Sequence, residues 1–481
     1  MRRWPLVLGV VVVLVLALAG YTTLDVYDRV PGVLTLSGAS QQQETSSRPG
    51  EGRSAGASVV HGPVPDVAGA PALAAVDGTA PQPTRRGIER ALRDELRDPR
   101  LGGLVGATVR DGRTGEHLLD LHADRPMTPA SNTKLLTAAA VSHTLDLSRT
   151  LETTVVQGSD RGEVVLVSGG DTMLARGRSH PDRVAGHAGL GSLAGQVADA
   201  LKERGVHRVR LGLDDTFADG EPYAPGWSQA VIDHGFVGPV TTLGLADERA
   251  DDIHAAPRDT AMSAARVFVE QLERRGVRVT GEVTRTSAPR QARTLGVVRS
   301  APLEDVLAHA LQESDNALTE ELARIAAVHS GRPATFGATA DWVEHTVHAI
   351  GVDTTGVRLA DSCGLSDGTR IPPRVIGDVL GLALDGQHAA FREVVAKLPV
   401  AGLNGTLHDR FLLPKGVDAA GLARAKTGSL PGVSALAGTV VDREGRLLLF
   451  ALIANRSGNP IETRAALDRV VAALADCGCR R

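Results

Sequence analysis

Aromatic residues make up only 3% of this 481-residue chain: three Trp, three Tyr and seven Phe. Any core must therefore be built mainly from Ala, Val and Leu. A dominant charge is also missing, since 52 Lys and Arg against 56 Asp and Glu leave a formal net charge of −4. That balance carries no electrostatic footprint for nucleic acid, which is excluded as a partner. Cysteine is scarce. Cys363, Cys477 and Cys479 are too few for a disulfide scaffold, although the Cys-Gly-Cys end leaves a local bridge open. The fifteen histidines show no His-Glu-x-x-His or similar spacing, so neither a metal site nor a cofactor is expected.

What is present begins at the N-terminus. Arg2 and Arg3 precede an apolar run from Trp4 to Gly20, with no charge before Asp25. A basic start followed by a short apolar run is an export pattern, with Ala17-Leu18-Ala19 as a cleavage site. The run is 17 residues long, and Tyr21 to Leu24 extend it to about 20, the length of a membrane span. Residues 1–24 are thus expected to be a signal peptide or a membrane anchor. Either one puts the remainder outside the cytoplasm, anchored to the membrane if uncleaved or secreted into the cell wall space. Residues 25–84 read as a flexible low-complexity tether. From Ser37 to Thr84 there is no aromatic residue, and Gly, Ala, Ser, Pro and Gln cannot bury enough apolar area to offset chain entropy.

The remaining length exceeds one modest core, so more than one domain is expected. Ile88, Leu92 and Leu96 recur every four residues, a helix signal. Two apolar runs then flank the turn Asp111-Gly112-Arg113-Thr114-Gly115, a hairpin. From Ser131 a helix is expected to run to about Leu145. Residues 151–300 alternate short strands (TTVVQGS, EVVLVSGGD, HRVRLGLDD, VRVTGEVT) with two amphipathic helices, which reads as an inserted α+β domain. Leu303 to Val328 is mostly helical. VSALAGTVVD and RLLLFALIAN read as two strands, followed by a helix with Leu467, Val470, Val471 and Leu474 on one face. The expected fold class is α+β: one antiparallel sheet assembled from both ends of the body (85–150 and 301–481), flanked by helices, with the insert between.

Three short motifs carry chemistry. Ser131 and Lys134, in TPASNTKLLTAAA, stand at i and i+3 and share one helix face. A serine hydroxyl needs a base to become a nucleophile, and a neutral lysine amine one turn away can serve. A serine at a helix start is more often only a cap. Ser314-Asp315-Asn316 precedes an amphipathic stretch. Ser314 offers a hydroxyl able to relay a proton, and Asn316 an amide that both donates and accepts; the plain alternative is a capped helix start. Lys426-Thr427-Gly428-Ser429 leads into an apolar run. It offers a cation, a hydroxyl suited to a carboxylate, and a glycine that permits close approach to a strand, yet a lysine and a glycine at a strand end are also common.

Taken together and in this order, Ser-x-x-Lys, Ser-Asp-Asn and Lys-Thr-Gly form the signature set of penicillin-binding proteins and serine β-lactamases. From Ile88 to the final helix the chain resembles the D-alanyl-D-alanine carboxypeptidase/endopeptidase family of low-molecular-mass penicillin-binding proteins. PASNTKLLTAAA, LVSGGDTMLA, LPVAGLNGTLHDRF and ARAKTGSLPGVSALAGTVVDREGRLLLFALIAN carry the likeness, and so does the long insertion between Ser131 and Ser314. The resemblance implies a β-lactamase/transpeptidase-like fold that acts on peptidoglycan stem peptides and is acylated by β-lactam antibiotics. It implies Ser131 as the acylated nucleophile, Lys134 as its base and Ser314 as the proton relay to the departing D-alanine nitrogen. Asn316 would orient the peptide, while Lys426 and Thr427 would bind the terminal carboxylate. Backbone N–H groups of Ser131 and Ser429 would form the oxyanion hole, with Gly428 between the binding residues.

Lys134 must be neutral to accept a proton, and an exposed lysine keeps its proton to about pH 10. Partial burial and the positive charge of Lys426 are both expected to lower its pKa. One stretch departs from the family pattern: LADSCGLSDGTR has Ser362 and Cys363 where the family usually carries Asp-Gly-Ser-Gly, and Cys363 is expected near the cleft. The competing readings are a serine β-lactamase, for which no convincing deacylating glutamate is present, and an inactive wall-binding scaffold, against which the intact motifs stand.

Overall fold

The computed structural model describes residues 79–251 and 254–479. The expected export segment and nearly all of the expected tether lie outside the described residues. Among the described residues, no helix is long and apolar enough to cross a membrane.

A five-stranded sheet joins the two ends of the body, in the spatial order Ala423–Leu430, Val433–Val441, Leu447–Asn455, Leu104–Asp111 and His117–Leu121. All four pairings are antiparallel. The central strand Leu447–Asn455 shows why RLLLFALIAN is apolar without a break. Leu449, Ala451 and Ile453 join the core on one face, while Leu448, Phe450, Leu452 and Ala454 join the core on the other. Side chains alternate across a strand, so a strand covered on both faces must be apolar at every position.

One face is covered by the helices Arg85–Leu92 and Pro460–Ala475, with Ile88, Leu92, Leu467, Val470 and Val471 in their shared core. The first of these ends earlier than its spacing predicts. Leu96 falls in a separate 3-10 turn, Glu95–Arg97, and the chain is extended at Asp98 (ψ 122°), the residue before Pro99.

The other face is covered by the helix Thr133–Thr144, in which every residue from Thr133 to Ser142 is buried. Its Ala-rich sequence suits that position, because the helices Leu303–Gln312, Asn316–His329, Phe336–Ala349, Pro373–Leu382 and Ala389–Ala396 pack around it. The helix begins two residues later than expected. Ser131 lies in a 3-10 turn, Ala130–Asn132, entered through Ala130 at φ 49°.

Between the two halves of this sheet the chain builds a second one. Its order is Thr294–Pro302, Thr150–Gln157, Glu163–Val167, Arg208–Asp214 and Arg278–Val279, and Thr284–Arg285 also pairs with Arg208–Asp214. The helices Leu190–Glu203 and Thr260–Glu273 share a separate apolar core with it. This sheet is mixed: Glu163–Val167 runs parallel to Arg208–Asp214, with Leu190–Glu203 in the crossover. The stretch VRVTGEVT, expected as one strand, forms two dipeptide strands separated by a turn at Gly281, whose φ is 76°.

Candidate active site

The three motifs meet. Lys134 Nζ donates to Ser131 Oγ at 3.0 Å and to Asn316 Oδ1 at 2.6 Å. Ser131 and Ser314 are each preceded by or placed on a strained bend: Ala130 has φ 49° and Ser314 φ 57°. Left-handed backbone at a non-glycine residue costs on the order of 1–3 kcal/mol and persists only where the surroundings hold it. At Ser314 it makes the corner between the helices Leu303–Gln312 and Asn316–His329. Asp315 caps the second helix by accepting from Leu318 N at 2.9 Å. Asn316 is held at both ends, since its Nδ2 also donates to Phe236 O at 2.7 Å. One N–H of that amide is left for a ligand.

Lys426 lies on the strand Ala423–Leu430 at the sheet's edge, and its Nζ donates to Ser314 Oγ at 2.8 Å. Lys426 and Gly428 share the face of Ala437 and Ala435, which is the face toward the Ser131 helix. A Cβ at Gly428 would stand 2.6 Å from Pro129 O and 3.2 Å from Ala130 Cβ. Glycine here lets the strand close onto the turn that carries Ser131. On the same strand, Ala425 N–H points away from the sheet and donates to Pro399 O at 3.0 Å. A period of two puts the Ser429 N–H on that same outer edge. The Thr427 hydroxyl donates to Thr406 Oγ1 at 3.0 Å, and Ser429 Oγ accepts from the Arg464 guanidinium at 3.2 Å.

Both lysines are wholly buried. Burial lowers the pKa of Lys134, and the charges of Asp361, Glu320 and Asp315 pull it partly back. Burial lowers that of Lys426 more strongly, and the positive charge of Lys134 adds to the effect. The sequence reading expected Lys134 to be partly buried and depressed by Lys426; burial is instead complete, and the repulsion bears on Lys426. Asp315 behaves differently. Burial disfavours its ionised form, but the Arg249 guanidinium at 2.6 Å holds it below the usual carboxylate range.

These groups open onto a cleft of about 1150 Å³, lined by Ser131, Ser314, Asn316, Thr427 and Ser429 and by Phe236, Arg249 and Thr406. Lys134 and Lys426 lie beneath its floor. Cys363 lies where the sequence expected it, beside the cleft: it is a buried free thiol whose backbone carbonyl accepts from Lys134 Nζ at 2.9 Å. Cys477 and Cys479 are paired in a disulfide. Sequence reasoning missed Thr406, Arg249 and Glu320. Thr406 lay within the family-like LPVAGLNGTLHDRF, but no local spacing announced the other two. Among the described residues, Glu320, Asp361 and Cys363 bring metal-donor atoms within 4.8 Å of one another. Glu320 Oε1 accepts from two backbone N–H groups and Asp361 from Gly364 N, Ser366 N and Trp227 Nε1, while Glu320 Oε2 is buried without a hydrogen-bond partner.

A Ser-x-x-Lys turn under an edge strand bearing Lys-Thr-Gly, closed by Ser-Asp-Asn, defines a protein of the β-lactamase/transpeptidase-like class. The chain belongs to the D-Ala-D-Ala carboxypeptidase 3 (S13) family, whose profile matches residues 88–251 and 245–474. It is 39% identical over 415 residues to carboxypeptidase DacB of Mycolicibacterium smegmatis, covering 85% of this chain and 88% of that one. It is 30% identical to a D-alanyl-D-alanine carboxypeptidase of an Actinomadura species, covering 84% and 87%. Penicillin binding protein 4 (dacB) from Haemophilus influenzae shares the fold, with a TM-score of 0.67 at 21% identity over 82% of this chain and 99% of that one.

Proposed function

We propose that the protein is a penicillin-sensitive serine D-alanyl-D-alanine carboxypeptidase and endopeptidase that acts on peptidoglycan stem peptides through an acyl-enzyme on Ser131. The observation that carries this reading is the convergence of two buried lysines on two serine hydroxyls at one cleft: Lys134 on Ser131 at 3.0 Å and Lys426 on Ser314 at 2.8 Å.

In this reading Ser131 Oγ attacks the carbonyl carbon of the penultimate D-alanine while Lys134 takes its proton. The oxyanion is held by the N–H groups of Ser131 and Ser429, each such donor being worth roughly 3 kcal/mol. The peptide bond breaks as Ser314 gives its proton to the leaving amine and regains one from Lys426. Water then releases the acyl group. Thr427, Ser429 and Lys426 receive the terminal carboxylate, and Asn316 orients the peptide. We assign this chemistry to residues 85–150 and 301–481 and treat 151–300 as an inserted domain, a division supported by the two separate sheets. Peptidoglycan lies outside the cytoplasm, and the apolar segment of residues 1–24 would export the chain there, as a signal peptide or an anchor.

Labelling with a fluorescent penicillin tests the reading. Wild-type protein is expected to form a covalent adduct that Ser131→Ala abolishes. The absence of any Ser131-dependent adduct in folded protein would overturn it.

A further inference from the structure

Lys134 Nζ has three partners: Ser131 Oγ at 3.0 Å, Asn316 Oδ1 at 2.6 Å and the Cys363 carbonyl at 2.9 Å. An ammonium has three N–H groups and satisfies all three partners as donor. A neutral amine has two N–H groups and one lone pair. The Asn316 and Cys363 oxygens can only accept, whereas a serine hydroxyl can accept or donate. A neutral Lys134 therefore spends both N–H groups on Asn316 and Cys363, and its lone pair falls on the Ser131 O–H. The direction of that lone pair depends on the Cys363 carbonyl staying where it is.

The carbonyl belongs to a turn that is clamped from beneath. Glu320 Oε1 accepts from Ser362 N and Cys363 N, both at 2.7 Å. The Thr137 hydroxyl donates to Ser362 O at 2.6 Å. Glu320 is 1% exposed and sits one helical turn after Asn316, so one rigid helix face sets both acceptors of Lys134.

We propose, resting on the reading of Ser131 and Lys134 given above, that Glu320 is a positioning residue for acylation. By pinning the Ser362–Cys363 turn, it holds the carbonyl that aims the Lys134 lone pair at Ser131. What the turn requires of Glu320 is an accepting oxygen. Burial, with the nearby charge of Asp361, pushes the Glu320 carboxyl up to about 8, while the Cys363 thiol and the two N–H donors work the other way. The other charged groups that face Lys134 are Asp361, Asp315 and Lys426.

The test compares full-length wild type with Glu320→Gln and Glu320→Ala, using the acylation rate with a fluorescent penicillin and kcat and KM on a D-Ala-D-Ala peptide at pH 7. Glu320→Gln keeps an accepting oxygen and is expected to stay within about threefold of wild type. Glu320→Ala is expected to lower acylation and kcat at least about tenfold with KM nearly unchanged. A wild-type rate in Glu320→Ala overturns the proposal, and so does a Gln variant as slow as the Ala variant. If Glu320→Ala does not fold, Thr137→Val takes its place by freeing the Ser362 carbonyl. A loss of at least about threefold in kcat is then expected, and a wild-type rate overturns the proposal. If wild type itself forms no Ser131 adduct, the parent reading has failed; if it does and Glu320→Ala acylates equally fast, only this inference has.

Discussion

Lys134 and Lys426 lie wholly buried beneath one cleft, and each donates to the hydroxyl of a different serine, Ser131 and Ser314. Two ammonium groups in one dry site repel each other, so the pair favours the state with at least one amine neutral. In the proposed mechanism acylation needs Lys134 neutral and therefore rises as pH climbs through its pKa. Because the repulsion between the two lysines bears on Lys426, Lys426→Gln is expected to lower the plateau of the acylation profile while leaving its acid limb, which reports Lys134, within about 0.3 of a pH unit of wild type. Stopped-flow acylation by a penicillin from pH 5 to 10 reads the limb independently of the lower plateau; a limb moved by about one pH unit would contradict this assignment.

Gly428 marks a close approach of the Lys426 strand to the Ser131 turn. A Cβ there would meet Pro129 O at 2.6 Å, which is backbone and cannot swing aside. Gly428→Val is expected to part the two elements and to slow acylation about a hundredfold, the cost of a small displacement of reacting groups. Circular dichroism should show a folded protein. Wild-type acylation in this variant would mean that the approach is not needed.

Arg249 ties the segment after the strand Leu243–Leu245 to the Ser-Asp-Asn corner through Asp315 at 2.6 Å. Arg249→Met leaves a buried carboxylate without its partner and is expected to cost about 3 kcal/mol at pH 7. In the wild type the folded-state pKa of Asp315 is depressed, so the pair stabilises above the unfolded pKa near 3.8, and that contribution is lost as pH falls through the folded value. The difference between variant and wild type in urea unfolding should therefore shrink on going from pH 7 toward pH 3. An equal difference at both ends would contradict the ion-pair account.

Glu320 has the opposite linkage. Its carboxyl rises from 4.5 to about 8 on folding, so the folded state binds the proton more tightly. Stability should fall between pH 4.5 and 8, because the unfolded chain ionises this carboxyl there while the folded state keeps it protonated, by a few kcal/mol in order of magnitude. Glu320→Gln removes the titration and should flatten that part of the curve. Parallel wild-type and variant stability curves would show that Glu320 does not carry this cost.

Much of the fold was legible from short-range pattern. The hairpin after Leu104, the two final strands and the last helix carry their periodicities in the chain itself, because a strand or helix face is set by residues two to four positions apart. VRVTGEVT misled for a matching reason: its apolar alternation suggests one strand, but the backbone turns at Gly281, where φ is 76°. The start of the helix at Thr133 rather than Ser131 was hidden too, since the left-handed Ala130 is held by packing and alanine does not announce it.

Residue identity alone determined the inventory of groups proposed to react: two serines, two lysines and an amide in a characteristic order, with a glycine where a strand must be approached closely. It also determined the alternation that buries Leu447–Asn455 on both faces. Only the tertiary structure decided that Lys134 and Lys426 would both be dry, that Arg249 would hold Asp315, and that Glu320 would pin the turn beneath Lys134. Donor and acceptor capacity belongs to each side chain wherever it stands. Its charge state and aim depend on distant segments that exclude water from it.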